Sequence, residues 1–370
     1  MADILVLNAG SSTLKYRLFH GPAVQDGGTV ERIGEPGGDL PDHAAAVERV
    51  LEPLRDKQIS AAGHRVVHGG TRFREPVLVD DEVLAAIRAV SELAPLHNPA
   101  GVSGIEAARR MLPGIPQVAV FDTAFHATLP GSAATYALDR ELADRYAIRR
   151  YGFHGISVRW VAAGAARLLG RALADLNLIV LHLGNGASAT AVAGGRSVET
   201  SMGLTPLAGL VMGTRPGDVD PAVVFHLART GMDLAHIEDV YQHRSGLLGL
   251  CGDNDVRGIQ QRAAAGDEAA RLALDVYCHR IRLYVGAYHA VLGRLDAIVF
   301  TAGVGQHSAV VRAGSLAGLE SWGIHVDPAR NAAGPAERIV SPDAARVAVC
   351  VVPTDEEAAI AQEVGDLLNV

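Results

Sequence analysis

Several things are scarce in this sequence, and each scarcity removes a class of function. Basic residues are the minority: 33 Lys and Arg against 41 Asp and Glu leave a formal net charge of −8. A protein that grips nucleic acid over a broad face carries the opposite balance, so no nucleic-acid partner is expected. A few local Arg residues and backbone amides can still bind phosphate. Cysteine is also scarce. Cys251, Cys278 and Cys350 are an odd number with no metal-ligand spacing, which reads as buried thiols in a reducing compartment. No apolar run is long enough to span a bilayer, because the best, at 178–193, is broken by His182, Gly184, Asn185 and Gly186. The short apolar run near the start carries Asp3 where a signal peptide has Lys or Arg. A cytoplasmic protein with no membrane contact is expected.

Familiar site signatures are missing too. No Gly-rich turn ends in the Gly-Lys-Ser/Thr of a Walker loop. The segment Gly155-Ile156-Ser157-Val158-Arg159 fails the Gly-x-Ser-x-Gly elbow at its last position. The histidines lack the paired spacing of a zinc site.

What is present suits a folded protein of 370 residues, 49% hydrophobic and 20% charged. At roughly 150 residues per domain, two or three domains are expected. The most informative internal feature is a weak repeat. Ile4-Leu5-Val6-Leu7, then Asn8-Ala9-Gly10-Ser11, then Leu14 to Phe19 read as strand, polar turn and strand. The same order recurs with Leu178-Ile179-Val180-Leu181, His182 to Gly186, and Ala187 to Val192. A further buried strand follows in each half, at Val118 to Phe121 and Ala297 to Phe300. Strands recurring with intervening helices predict two α/β domains of related topology.

Helices are expected at 222–229 behind Asp220-Pro221, at 269–292 with a broad apolar face, and at 356–368. The long middle one could serve as core packing or as an interdomain or dimer surface.

Three Gly-containing turns follow strands: Asn8 to Thr13, His182 to Ser188, and Gly303-Val304-Gly305. Such turns offer amides and hydroxyls to phosphate oxygens. Taken singly they also suit plain hairpins. Gly10 and Gly184 sit between two strands, unlike the strand–helix glycines of a dinucleotide site. Arg65, Asp122, His154 and Arg215 all fall in glycine-flanked or strand-end contexts, where a ligand can approach closely.

The segment from Asn8 to Lys15 resembles the N-terminal motif of the acetate kinase family. Met202-Gly203-Leu204-Thr205-Pro206-Leu207 through Met212-Gly213-Thr214-Arg215 resembles its second motif. His64-Arg65-Val66-Val67-His68-Gly69-Gly70, Leu96-His97-Asn98-Pro99, Phe121 to His126, Tyr151-Gly152-Phe153-His154-Gly155, His182 to Gly186 and Pro353 to Glu357 match in order. The resemblance covers nearly the whole chain.

It implies an α/β fold of duplicated ribonuclease H-like domains, the actin-like ATPase fold, with a central nucleotide and substrate cleft. The first domain would comprise 1–125 plus 357–370 and the second 126–356, which would carry the nucleotide contacts and a dimer surface. It implies a homodimer, with ATP as co-substrate and Mg²⁺ or Mn²⁺ as cofactor. Asn8 and Glu356 would hold the metal, and Lys15 would handle phosphate. Arg65 and Arg215 would grip the carboxylate and the moving phosphoryl group. Asp122 would orient an Arg or the metal's waters, and His154 would donate to the phosphoryl group. Nucleotide contacts would come from His182, Leu183, Gly184, Asn185 and Gly186, from Asp255, Val256 and Arg257, and from Gly303, Val304, Gly305, Gln306 and His307. Val67, Leu96, Phe153 and Pro206 would line the pocket for the acyl methyl group. Thr71, Gln306-His307 and Asp355 depart from the family's usual residues. The implied activity is transfer of a phosphoryl group from ATP to acetate. Alternatives are a propionate kinase of the same family and a nucleotide-gated scaffold without acyl transfer.

Overall fold

A computed structural model of the chain describes residues 2–10, 12–35, 37–94 and 97–370. The chain divides into two compact units. One holds the residues up to 127 with 153–160 and 355–370, and the other holds 128–152 and 161–354.

The first unit is built on six strands: β1 (Asp3–Ala9), β2 (Leu14–His20), β3 (Ala23–Val30), β4 (Ala61–Val66), β5 (Val77–Leu78) and β6 (Gln117–Phe121). Their order is β3-β2-β1-β4-β6-β5. β1, β2 and β3 form an antiparallel meander, while β1, β4 and β6 run parallel. A strand turns alternate side chains to opposite faces, and β1 is apolar on both. Leu5 and Leu7 join Leu14, Leu18 and the helix His43–Leu51 on one face. Ile4 and Val6 meet Phe19, Ile360 and Val364 on the other. Each buried aliphatic side chain contributes about 1.5–3 kcal/mol relative to exposure. Gly63 on β4 permits this packing: a Cβ there would sit 2.7 Å from Val364 Cγ2 and 2.8 Å from Ile360 Cγ2. The final helix, Glu356–Leu368, therefore lies tight on β1 and β4.

Two histidines are locked inside this unit without charge. His64 bonds Gln117 Oε1 at 2.7 Å, and His126 Nε2 bonds the Phe153 carbonyl at 2.9 Å. Burial pushes both down to about 4, against the ordinary value near 6.5. A depressed histidine stabilises the fold fully above the unfolded value, and that stability is lost as pH falls from about 6.5 through 4. Urea unfolding at pH 7 and pH 5 should therefore differ by about 2 kcal/mol for each histidine. A flat profile between those values would contradict the neutral assignment.

The second unit repeats the design. Its strands are β7 (Asn177–Leu183), β8 (Ala187–Ala193), β9 (Arg196–Thr200), β10 (Ala297–Thr301), β11 (Arg338–Ile339) and β12 (Ala348–Val351). The order β11-β12-β10-β7-β8-β9 is that of the first sheet read from its other end. The short fifth strand of each set pairs antiparallel with the sixth. Even the ladder irregularity between the second and third strands recurs, at Leu18/Phe19 and at Ala191/Val192. The duplication expected from the sequence repeat is thus present strand for strand.

Some elements differ from expectation. Gly303 to Gly305 lie in a short helix, Ala302–His307, and not in a turn. Thr301 is still extended, and Ala302 (φ 61°) makes the reversal from β10 into that helix. The helix Ala222–Arg229 is capped by Pro221, while Asp220 Oδ1 accepts from the Ala222 amide at 2.9 Å. The long helix spans Glu268–Leu292, opened by Asp267, whose carboxylate accepts from the Ala269 and Ala270 amides. Its residues Ala273, Tyr277, Ile281, Val285 and Tyr288 are core, packed within the unit against helices Gly246–Cys251, Val256–Ala264 and Ala309–Leu316. Leu272, Leu283 and Val291 face outward. Among the described residues no helix is long and apolar enough to cross a membrane.

Candidate active site

Parallel strands bring their carboxyl ends to one edge of a sheet, the place where open α/β sheets bind ligands. In the first unit, Arg65 lies near the end of β4 and pairs in register with Val120. Asp122 follows β6 directly, its amide donating to the Val66 carbonyl at 3.1 Å. The Arg65 guanidinium thereby reaches Asp122 Oδ2 with Nη2 at 2.5 Å and Nε at 3.1 Å. Nη1 turns toward the end of β1 and makes only long contacts, 3.3 Å to the Ala9 carbonyl and 3.5 Å to Asn8 Oδ1. Glu356, at the first turn of the last helix, lies 3.9 Å from Arg65 Nε. Burial pushes the Asp122 carboxyl up to about 6, with Arg65 opposing and Glu356 adding to the shift. The same acidic neighbours hold Arg65 firmly protonated despite its burial.

Asn8 ends the apolar part of β1. Its Nδ2 donates to Glu357 Oε1 at 2.7 Å and, more weakly, toward Glu356 Oε2 at 3.4 Å. The β1–β2 register sets Lys15 directly opposite Asn8 and on the same face of the sheet. His154 is carried here as well, because the Gly155 amide donates to the Asp122 carbonyl at 2.9 Å. Only glycine fits at 155, where a Cβ would collide with that carbonyl. His154 itself takes a left-handed backbone (φ 59°), a strained conformation for a side chain of its size and of the kind found at ligand sites. Val67 and Phe153 are buried in this unit, Phe153 edge-on to His68 with ring centroids 5.5 Å apart. Leu96 lies outside the described residues.

In the second unit the corresponding hairpin, β7–β8, turns through Gly184, Asn185 and Gly186, with Gly184 N donating to the Gly186 carbonyl at 3.0 Å. Asn185 O in turn accepts from Gly213 N at 2.9 Å, so the segment carrying Arg215 is tied to this turn. Arg215 Nη1 donates to the Pro206 carbonyl at 2.8 Å. Burial lowers its pKa, and among the described residues no carboxylate lies within ion-pair distance of it. An under-compensated guanidinium of this kind favours an anion.

A cavity of about 400 Å³ opens beside the turn. Gly184, Asn185, Asp255, Val256, Arg257, Gly303, Val304 and His307, all among the nucleotide contacts that the family resemblance implies, line it. Gly213, Leu247, Asn254, Gln260 and Ser308 line it too and were not anticipated as nucleotide contacts. Gln260 follows Val256 by one helical turn, so periodicity could have found it, whereas Leu247 carries no sequence signal. His182, Leu183, Gly186, Gly305 and Gln306 are adjacent in the chain but do not line the cavity. Asp255 caps the helix Val256–Ala264 and is bound to Arg257 through Nε at 3.2 Å and Nη2 at 3.0 Å. The carbonyls of Gly305 and Gln306 are instead held from behind by buried Arg312, at 2.8 Å and 2.9 Å.

Among the described residues no three His, Cys, Asp or Glu side chains form a cage able to hold an ion unaided. Magnesium is ordinarily held by one or two carboxylates together with waters and substrate phosphates. The first unit offers suitable hard donors in Glu356 and the Asn8 amide oxygen. The buried Asp122 Oδ1 accepts no hydrogen bond, which leaves a lone pair for a metal-bound water. The residues present fit such an ion.

Two copies of one sheet design, one ending in an arginine–carboxylate cluster and the other in a nucleotide-sized cavity, define a phosphotransferase of the actin-like ATPase fold. The chain belongs to the acetokinase family, whose model matches residues 3–362. It is 55% identical to the acetate kinase of Streptomyces avermitilis over 97% of this chain and 96% of that protein. Among solved structures it is similar to Porphyromonas gingivalis acetate kinase, with TM-score 0.93, 41% identity and full coverage of both chains. It is also similar to a propionate kinase from Francisella tularensis, with TM-score 0.92 and 39% identity, covering 98% of this chain and 99% of the other.

Proposed function

We propose that the chain catalyses reversible, Mg²⁺-dependent transfer of the γ-phosphoryl group of ATP to acetate, giving acetyl phosphate and ADP by direct in-line displacement. The observation that carries this reading is the Arg65–Asp122–Asn8–Glu356 cluster, which supplies fixed positive charge and metal-type oxygen donors. No general base is needed. Acetate is already ionised at neutral pH, so one of its oxygens attacks phosphorus while the bond to the bridging β–γ oxygen breaks and ADP leaves. The transition state is loose, and catalysis consists of alignment and charge neutralisation. Arg65 and Arg215 neutralise the carboxylate and the equatorial phosphoryl oxygens, and His154 donates a hydrogen bond to the same group. Lys15 contacts phosphate. Asn8 and Glu356 would hold Mg²⁺, which when bound would supply positive charge against the ATP phosphates. The adenine nucleotide occupies the cavity beside Gly184, Asp255 and Gly303.

Acetate is proposed over a longer acid because Val67, buried in the first unit, leaves less room for an added methylene than a smaller side chain there would. A methylene is worth about 1–3 kcal/mol in a hydrophobic pocket, so propionate should be used with kcat/KM lower by about 10–200-fold. A kcat/KM that favours propionate would move the reading to propionate kinase. We further propose that the enzyme works in the cytoplasm as a homodimer. Three buried free thiols support the first, and Phe225 and Leu234, exposed on the second unit, support the second.

A further inference from the structure

We infer that Arg17 and Asp355 form a positioning pair that fixes the charge and the orientation of the Glu356–Glu357 turn toward the divalent cation. The inference rests on the metal assignment proposed above.

Arg17 lies on β2 opposite Val6, two residues before Phe19, which packs on the last helix. It therefore points to the same side of the sheet as the start of that helix. Its Nη1 lies 2.9 Å from both oxygens of Asp355, and its Nη2 lies 3.9 Å from Glu357 Oε2. Asp355 also caps the helix whose first residues are Glu356 and Glu357, its Oδ1 accepting from the Ala358 amide at 3.0 Å. One carboxylate thus links a cation on β2 to the backbone that carries the metal donor Glu356. Asn8 holds Glu357 from the side.

The charges give this link a purpose. The contacts join four carboxylates, Asp122, Asp355, Glu356 and Glu357, to two guanidiniums, Arg17 and Arg65. The network carries −2, which matches a divalent cation. Without Asp355, Arg17 would be an unopposed cation beside Glu357, and its charge would oppose that of a metal ion at the neighbouring Glu356. Without Arg17, Asp355 would be an uncompensated anion in the same turn. Charges a few ångströms apart at a partly buried site differ in energy by enough to change ion affinity severalfold.

The test is Mn²⁺ binding to the full-length enzyme, read by the free Mn²⁺ paramagnetic resonance signal, with melting temperature followed in parallel. Asp355→Asn should weaken Mn²⁺ about 10-fold, and Arg17→Gln should tighten it severalfold. The double variant, which restores the charge, should return to within about threefold of wild type. The Mg²⁺ activation constant should move in the same order. A merely structural pair gives another pattern, in which both single variants melt earlier and bind more weakly, with the double variant no better than either. That pattern overturns the inference, and so do variants that all stay within twofold of wild type. A wild-type enzyme that takes up no Mn²⁺ at millimolar concentrations would instead overturn the metal assignment itself.

Discussion

Arg65→Ala should lower turnover by on the order of 10³-fold or more, the scale set by a single arginine acting on a phosphoryl transition state. The geometry explains why this position should be so sensitive. One edge of the guanidinium is fixed by Asp122, at 2.5 Å and 3.1 Å, while Nη1 is held only loosely by Ala9 and Asn8. A group anchored at one edge and weakly satisfied at the other is preorganised to take an incoming oxyanion. Arg65→Lys should not restore activity, because an ammonium cannot bond Asp122 along one edge and a ligand along the other. The loss should appear in kcat, with the urea midpoint showing how much of it comes from altered folding. Turnover within 10-fold of wild type would remove Arg65 from the reaction.

Asp122→Ala should cost both stability and activity. Asp122 is 1% exposed, and its carboxylate is the direct counter-charge to Arg65. Breaking a buried pair by removing one partner typically costs about 3–5 kcal/mol. The released guanidinium has Glu356 3.9 Å away as its next anion. Moving to it would both displace Arg65 and occupy a metal donor. A misplacement of about 1 Å is enough to cost 10²-fold in rate, and that is the expected fall in kcat. Asp122→Asn keeps the shape without the charge and should lie between the two. A variant with wild-type stability and full turnover would show that Asp122 neither holds Arg65 nor serves the chemistry.

The parts of the fold legible in sequence were those whose burial leaves a local pattern. β1, β6, β7, β8 and β10 are buried along nearly their whole length because helices or loops cover both sheet faces, whereas β2 is marked by Leu14, Leu18 and Phe19 between polar residues. β3 and β9 escaped notice because both edge strands are polar, β3 exposed as well and β9 largely covered. Ala23–Val30 contains Gln25, Asp26, Gly27 and Gly28 and has no buried residue. The Gly303–Gly305 helix escaped for a different reason. Glycine disfavours helix locally, and what holds this one is buried Arg312, which bonds its last carbonyls from outside the segment.

The site divides in the same way. Arg65, Asp122, His154 and Arg215 stand out beside glycines and at strand ends, and the family resemblance supplied their roles. Glu357 and Arg17 carried no such mark. Their partners, Asn8 and Asp355, lie 349 and 338 residues away in the chain. No local spacing encodes such contacts; only the packing of the last helix on β1 and β4 creates them. Pro206, expected as part of an apolar pocket, also offers its carbonyl to Arg215.

The most direct test of the central claim is phosphoryl transfer from Mg-ATP to acetate, with the acyl phosphate trapped by hydroxylamine, in wild type and Arg65→Ala. The account predicts acetate-dependent hydroxamate from the wild type and almost none from the variant. ATP turnover that proceeds equally well without acetate, with no hydroxamate from any short carboxylic acid, would contradict it and leave a nucleotide-driven protein of the same fold.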